Sequence, residues 1–231
     1  VSALSLLVAL LGLALGQWQL GRAAQKLALR DSMVANAALP VLDNQSWQNG
    51  ASTTANMHRR VQLRGRWLGS ATVFLDNRPM GGRAGLVVVT PLQLEASGAV
   101  LLVQRGWVAR NFLDRTALPK IVSSSGVVEI QGVLVPTPSQ HWAMGGPDAG
   151  RIRQNLDLKA FAAELGLELA PVTVQQTGDL QDGLLREWSQ PDAGVEKHFG
   201  YAFQWFTLSA LVALYYVWFQ IVKRFRQKPA G

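Results

Sequence analysis

His198 is the side chain in this sequence best suited to bind something. It stands at the edge of an uncharged run, Phe199 to Val222, rich in Phe, Trp, Tyr and Leu. A neutral imidazole nitrogen can ligate a metal, haem iron included. At helical spacing Ala202, Trp205 and Ser209 share a stripe with it, and Tyr201 lies one step aside. In a second uncharged run Trp18 and Arg22 are four residues apart, hence on one face of their own helix. If the two runs are antiparallel membrane spans, His198, Tyr201, Trp205, Trp18 and Arg22 all reach the depth where lipid meets water. Taken singly, each is an ordinary interfacial residue, because Trp and Tyr collect at headgroup level and Arg and His cap helix ends there. Taken together, they have the chemistry for a tetrapyrrole with a long apolar tail. His198 would ligate the iron, aromatic faces would pack on the porphyrin, and Arg22 would pair with a propionate near water.

Positioning such a group requires two membrane helices, and the composition supplies them. Of 231 residues 48% are hydrophobic and only 16% charged, against about 25% charged in a typical soluble domain. The deficit is concentrated at the ends. Residues 1–21 contain no ionisable side chain, enough helix to cross a hydrocarbon core of roughly 30 Å. Lys223, Arg224, Arg226 and Lys228 follow the second run with no acid among them, which places that end on the cytoplasmic side and the middle of the chain outside. The predicted order is a first transmembrane helix over 1–22, a connector over 23–56, an outward (periplasmic) β-rich domain over 57–197, a second transmembrane helix over 198–222 and a basic cytoplasmic tail over 223–231. The formal net charge of +7 belongs mostly to the membrane flanks, since residues 32–198 hold 15 basic against 14 acidic side chains. That distribution points to lipid headgroups and excludes nucleic acid as the partner.

Within the outward domain, Arg60, Gln62, Arg64 and Arg66 alternate with Val61, Leu63, Gly65 and Trp67, the period of a strand with one wet face. Further strands are predicted at 71–75, 85–94, 100–108, 127–135 and 172–176, each bounded by Gly, Pro, Asp or Ser. The runs at 86–89 and 100–103 have no interior charge and belong in the middle of a sheet. One helix is predicted, Leu158 to Leu165, with Asp157 as its N-cap and Gly166 as its stop. The fold class is therefore α+β: two transmembrane helices flanking an antiparallel barrel or sandwich with a short helix.

Soluble catalysis finds little support. The chain has no cysteine, which removes disulfides, thiolate nucleophiles and soft metal sites. Gly81, Gly82 and Gly85 could cradle a phosphate, but no helix pattern follows to supply an N-terminal dipole, so a turn between strands is expected. His58 and His141 are isolated and read as surface residues. Arg60, Arg64 and Arg66 are read as a solvated face, with docking of an acidic partner or headgroups as the alternative.

The sequence H-F-G-Y-A-F-Q-W-F from His198 to Phe206 resembles the H-x-x-Y-A-x-Q-W-F signature of the Surfeit locus protein 1 family, assembly factors of haem-copper cytochrome c oxidase. Leu15 to Arg22 (L-G-Q-W-Q-L-G-R) resembles that family's first-span motif, L-G-x-W-Q-x-x-R. Between them, Thr90 to Leu94 (T-P-L-Q-L) and Val103 to Val108 (V-Q-R-G-W-V) are similar to its central strands. Glu196 and Lys197 stand where members often carry Asn before the histidine. The resemblance implies a non-enzymatic assembly factor, with haem a as a transient cofactor ligated by His198. It implies oxidase subunit I as partner, with haem A synthase as a second candidate. No Arg- and Ser-rich leader is visible, so a bacterial inner membrane is expected ahead of a mitochondrial one. Two rival functions stand beside this one: a membrane scaffold for immature subunit I that touches no cofactor, and an enzyme modifying haem or a quinone at the membrane face.

Overall fold

The alternating run that opens at Arg60 forms a strand with Val61 and Leu63 buried and Arg60, Gln62, Arg64 and Arg66 exposed. In the computed structural model it belongs to a seven-stranded sheet. The structure describes residues 2–51, 54–111, 113–114, 117–138, 150–178, 182–188 and 194–222. The elements run in chain order α1 (Ser2–Ala37), the single-turn α2 (Asn44–Ser46), β1 (Arg60–Trp67), β2 (Val73–Leu75), β3 (Gly85–Leu94) and β4 (Val100–Ala109). They continue with β5 (Val127–Val135), β6 (Ile152–Arg153), α3 (Leu158–Leu165), β7 (Leu169–Gln176) and α4 (Val195–Val217). Two compact units result: Val1–Ser32 with Gln190–Gly231, and Met33–Ser189.

In the second unit, β1, β5, β7, β4 and β3 hydrogen-bond in that order, and β1 pairs again with β3 to close a five-stranded barrel. Closure removes the open edges that a flat sheet would leave. The sandwich alternative is thereby set aside. Pairing is also not purely antiparallel, because β4 and β7 run parallel. A parallel neighbour needs a long crossover, and the chain between β5 and β7, which carries β6 and α3, allows it. One edge of β3 is shared: residues 87–89 pair with β2 and residues 92–94 with β1. β2 then carries the short parallel strand β6.

Leu42, Trp47, Val61, Leu63, Leu92, Leu94, Leu101, Val103, Ile130, Leu134, Val172 and Val174 form one core cluster. β3 and β4 are buried on both faces, as their uncharged runs require. Their other face packs with Phe161 of α3, which joins Val87, Val89, Leu102 and Trp107 in a second cluster. Helix α3 starts where Asp157 accepts a hydrogen bond from the Ala160 amide at 2.8 Å and ends at Gly166 in the left-handed region, matching the predicted cap and stop. Gly81 and Gly82, both at positive φ, turn the chain between Met80 and Arg83, whose backbones exchange two 3.0 Å hydrogen bonds. That is a tight hairpin turn, and a strand follows it.

In the first unit, α1 and α4 are long and apolar enough to cross a membrane. Their Leu, Val, Phe, Tyr and Trp side chains are largely exposed, including Leu4, Leu7, Leu11, Phe203, Leu211 and Leu214. A core helix of a soluble domain would bury such residues, so the two helices suggest a membrane protein. Helix α1 runs to Ala37, well past Arg22 where the connector was expected to begin. The added stretch is rich in Ala, Leu, Gln, Lys and Arg, strong helix formers that carry on once nucleation is paid. The basic tail and His141 lie outside the described residues.

Candidate functional site

Helices α1 and α4 meet along small and polar side chains. On α1 the covered positions include Ser5, Ala9, Gly12, Gly16, Gln19 and Ala23; on α4 they include Val195, His198, Ala202, Trp205, Ser209 and Val212. Both sets step by three and four residues, the spacing that keeps one seam facing a neighbouring helix. The contacts run antiparallel. A Cβ on Gly12 would strike the Ser209 side chain, and one on Gly16 would come within 2.5 Å of the Phe206 ring. Hydrogen at these positions is what allows the close approach. Ser209 Oγ satisfies itself inside the seam by donating to the Trp205 carbonyl at 2.9 Å.

At one end of this seam His198 Nδ1 lies 2.7 Å from Gln19 Oε1. An amide oxygen only accepts, so this contact assigns a proton to Nδ1, and in a neutral ring the lone pair would then lie on Nε2. Ligation of a metal through Nε2 needs that form. His198 sits in the first turn of α4, which opens at Gly194 with φ 89° and carries Glu196 beside it. Its helix therefore begins ahead of the histidine, where the sequence placed the histidine at the border.

The stripe read from the sequence is the seam itself: Ala202 and Ser209 are buried, and His198 and Trp205 half-buried. Tyr201, one step aside, is 51% exposed, and Trp18 is 58% exposed. Arg22 is exposed too and donates to Gln25 Oε1 at 3.1 Å. The structure thus brings His198 and Trp205 against α1, and leaves Tyr201, Trp18 and Arg22 on outward faces. Gln19 is the side chain that sequence reasoning passed over. Its signal was present: it stands three residues after Gly16 and seven after Gly12, on the face those glycines open.

In the barrel unit, the described residues include no group of three His, Asp or Glu side chains able to hold a metal ion. His58, at φ 67°, is half-buried in the turn before β1, and burial holds its pKa below the ordinary value of 6.5. On the arginine face of β1, Arg64 is paired with Glu95 at 3.6 Å, and the intervening Gln62 donates to Glu129 at 2.6 Å. Arg105, within the V-Q-R-G-W-V stretch, is a buried structural cation. It stacks over Trp67, donates to Ser123 Oγ and the Val122 carbonyl, and shares Asp182 with Arg186. Desolvation lowers its pKa.

The profile of the SURF1 family matches residues 6–210, a span that takes in most of both helices of the seam and the whole barrel. A SURF1-like protein of Rickettsia felis is 28% identical over 213 residues, covering 89% of this chain and 90% of its own length. One from Rickettsia bellii is 26% identical, covering 88% and 84%. A SURF1-like protein of Dictyostelium discoideum is 24% identical, covering 72% and 73%. With both helical motifs and the barrel inside the matched span, this chain belongs to the SURF1 family.

Proposed function

We propose that this protein is a non-catalytic assembly factor of cytochrome c oxidase, anchored in a bacterial inner membrane with its barrel on the periplasmic side. It holds haem a as cargo for insertion into oxidase subunit I. The family is known for oxidase assembly, and the observation that carries the cargo reading is the His198–Gln19 hydrogen bond. The bond pairs the first-helix motif with the second-helix motif and occupies Nδ1, which leaves Nε2 as the nitrogen for a ligand. Haem a would contribute an iron that accepts this nitrogen, two propionates and an apolar tail.

The remaining roles follow from exposure and chemistry. Trp205 and Tyr201 line the haem, Trp18 packs on it from α1, and the exposed Arg22 guanidinium, which gives one donor to Gln25, offers others to a propionate. The apolar tail lies in lipid. Subunit I receives the cargo, and haem A synthase is the donor.

The test is to purify the chain in detergent from cells that synthesise haem a. A Soret band at stoichiometric level together with retained subunit I is expected. Retention of subunit I with no haem absorbance would instead establish the scaffold function.

A further inference from the structure

Gln19 is half-buried in the α1–α4 seam, and its side-chain oxygen is on His198 Nδ1 at 2.7 Å. The two residues are 179 positions apart in sequence, so no local turn explains the pairing. The surrounding seam is built to bring them together. Gly16, one helical turn before Gln19, lets α4 approach until a Cβ would collide with Phe206. Ala23, one turn after, is fully buried. An imidazole in such a place has two tautomers with opposite consequences. With the proton on Nδ1 the Nε2 lone pair is available to a metal; with the proton on Nε2 it is not.

We propose that Gln19 is the positioning residue for His198: its carbonyl oxygen holds the Nδ1 proton, fixing the ring and keeping the Nε2 lone pair for iron. The assignment rests on the haem reading of the site and deepens it. An acceptor on the far nitrogen also raises the basicity of the ligating one, the role that carbonyls and carboxylates play behind ligating histidines in general. Gln19 itself touches no cargo. A glutamine does this at no charge cost in an apolar seam, where a carboxylate would have to be desolvated.

The full-length protein in lipid nanodiscs gives the test, with ¹⁵N-labelled histidine and ferric haem a as the probe. In the haem-free protein the His198 nitrogen shifts should report a single tautomer protonated at Nδ1, and Gln19→Leu should convert it to a mixture. On titration, Gln19→Leu should bind haem a about 10–100-fold more weakly than the parent. Gln19→Glu, which keeps an acceptor oxygen, should restore binding and lower the reduction potential of the bound haem. Helical circular dichroism identifies a variant that has lost the hairpin, and Gln19→Glu keeps the inference testable if Gln19→Leu unfolds. A parent protein with the proton on Nε2, as when the glutamine amide nitrogen donates to Nδ1, would overturn the inference. So would unaltered haem affinity in a folded Gln19→Leu. Failure of the parent itself to bind haem a would instead bring down the cargo reading on which this one stands.

Discussion

At the scale of single residues, the chemistry of this chain is carried by a few polar groups set among apolar ones, and each is explained by what accepts or withholds a proton. His198 finds an acceptor for Nδ1 in the Gln19 side-chain oxygen, 2.7 Å away. His58 is the opposite case: it is half-buried, its Nδ1 has no hydrogen-bond partner among the described residues, and burial lowers its pKa. The folded state therefore binds fewer protons there than the unfolded chain. Stability from this site is fully present above the unfolded value of 6.5 and is lost as pH falls from there through the depressed folded value. His58→Asn, whose side chain tolerates the positive φ of this position, should flatten the decline of the thermal midpoint between roughly pH 7 and 5. An unchanged slope would show that His58 does not set it. His198 was singled out from the sequence through its neighbours in the apolar run. Gln19 shares a helical face with Gly12 and Gly16, but its pairing with His198 depends on how two distant helices are rotated, and neither run encodes that alone.

At the scale of elements, short-range pattern was enough for most assignments. Alternation in Arg60–Trp67 and the cap and stop of Leu158–Leu165 each reflect forces that act within a few residues, and the structure follows them closely. Long-range pairings were beyond that reach. The barrel closes because the last residues of β1 find the last residues of β3, and β7 inserts between β5 and β4 in a direction that no local signal sets. Helix α1 exceeded its expected length because the sequence after Arg22 changes polarity without losing helix propensity. The α1–α4 hairpin makes a sharper prediction, since its spacing is set by hydrogen atoms at Gly12 and Gly16. Gly16→Leu should overpack against Phe206 at a cost of about 1–3 kcal/mol. Spin labels at the exposed positions Leu13 and Leu208 should then move apart, and an unchanged distance distribution would show that the seam tolerates the bulk.

At the scale of the whole molecule, the proposed function carries a topology, expected from the flanking charges, with both ends of the chain in the cytoplasm and the barrel outside. The absence of cysteine from the sequence makes this simple to test. A single cysteine at Ser97, exposed in the turn between β3 and β4, should react with a membrane-impermeant maleimide in intact spheroplasts, and one at Ala230 should react only after lysis. The reverse pattern would invert the topology and move the cargo to the other face. The proposed function converges on His198, and the most direct measurement is its removal. The parent and His198→Ala, both with intact helical circular dichroism, are purified in detergent from the same haem a-producing host and compared for haem a per polypeptide. The parent should carry the pigment and the variant at least about ten-fold less; equal haem a in the two would contradict ligation by His198.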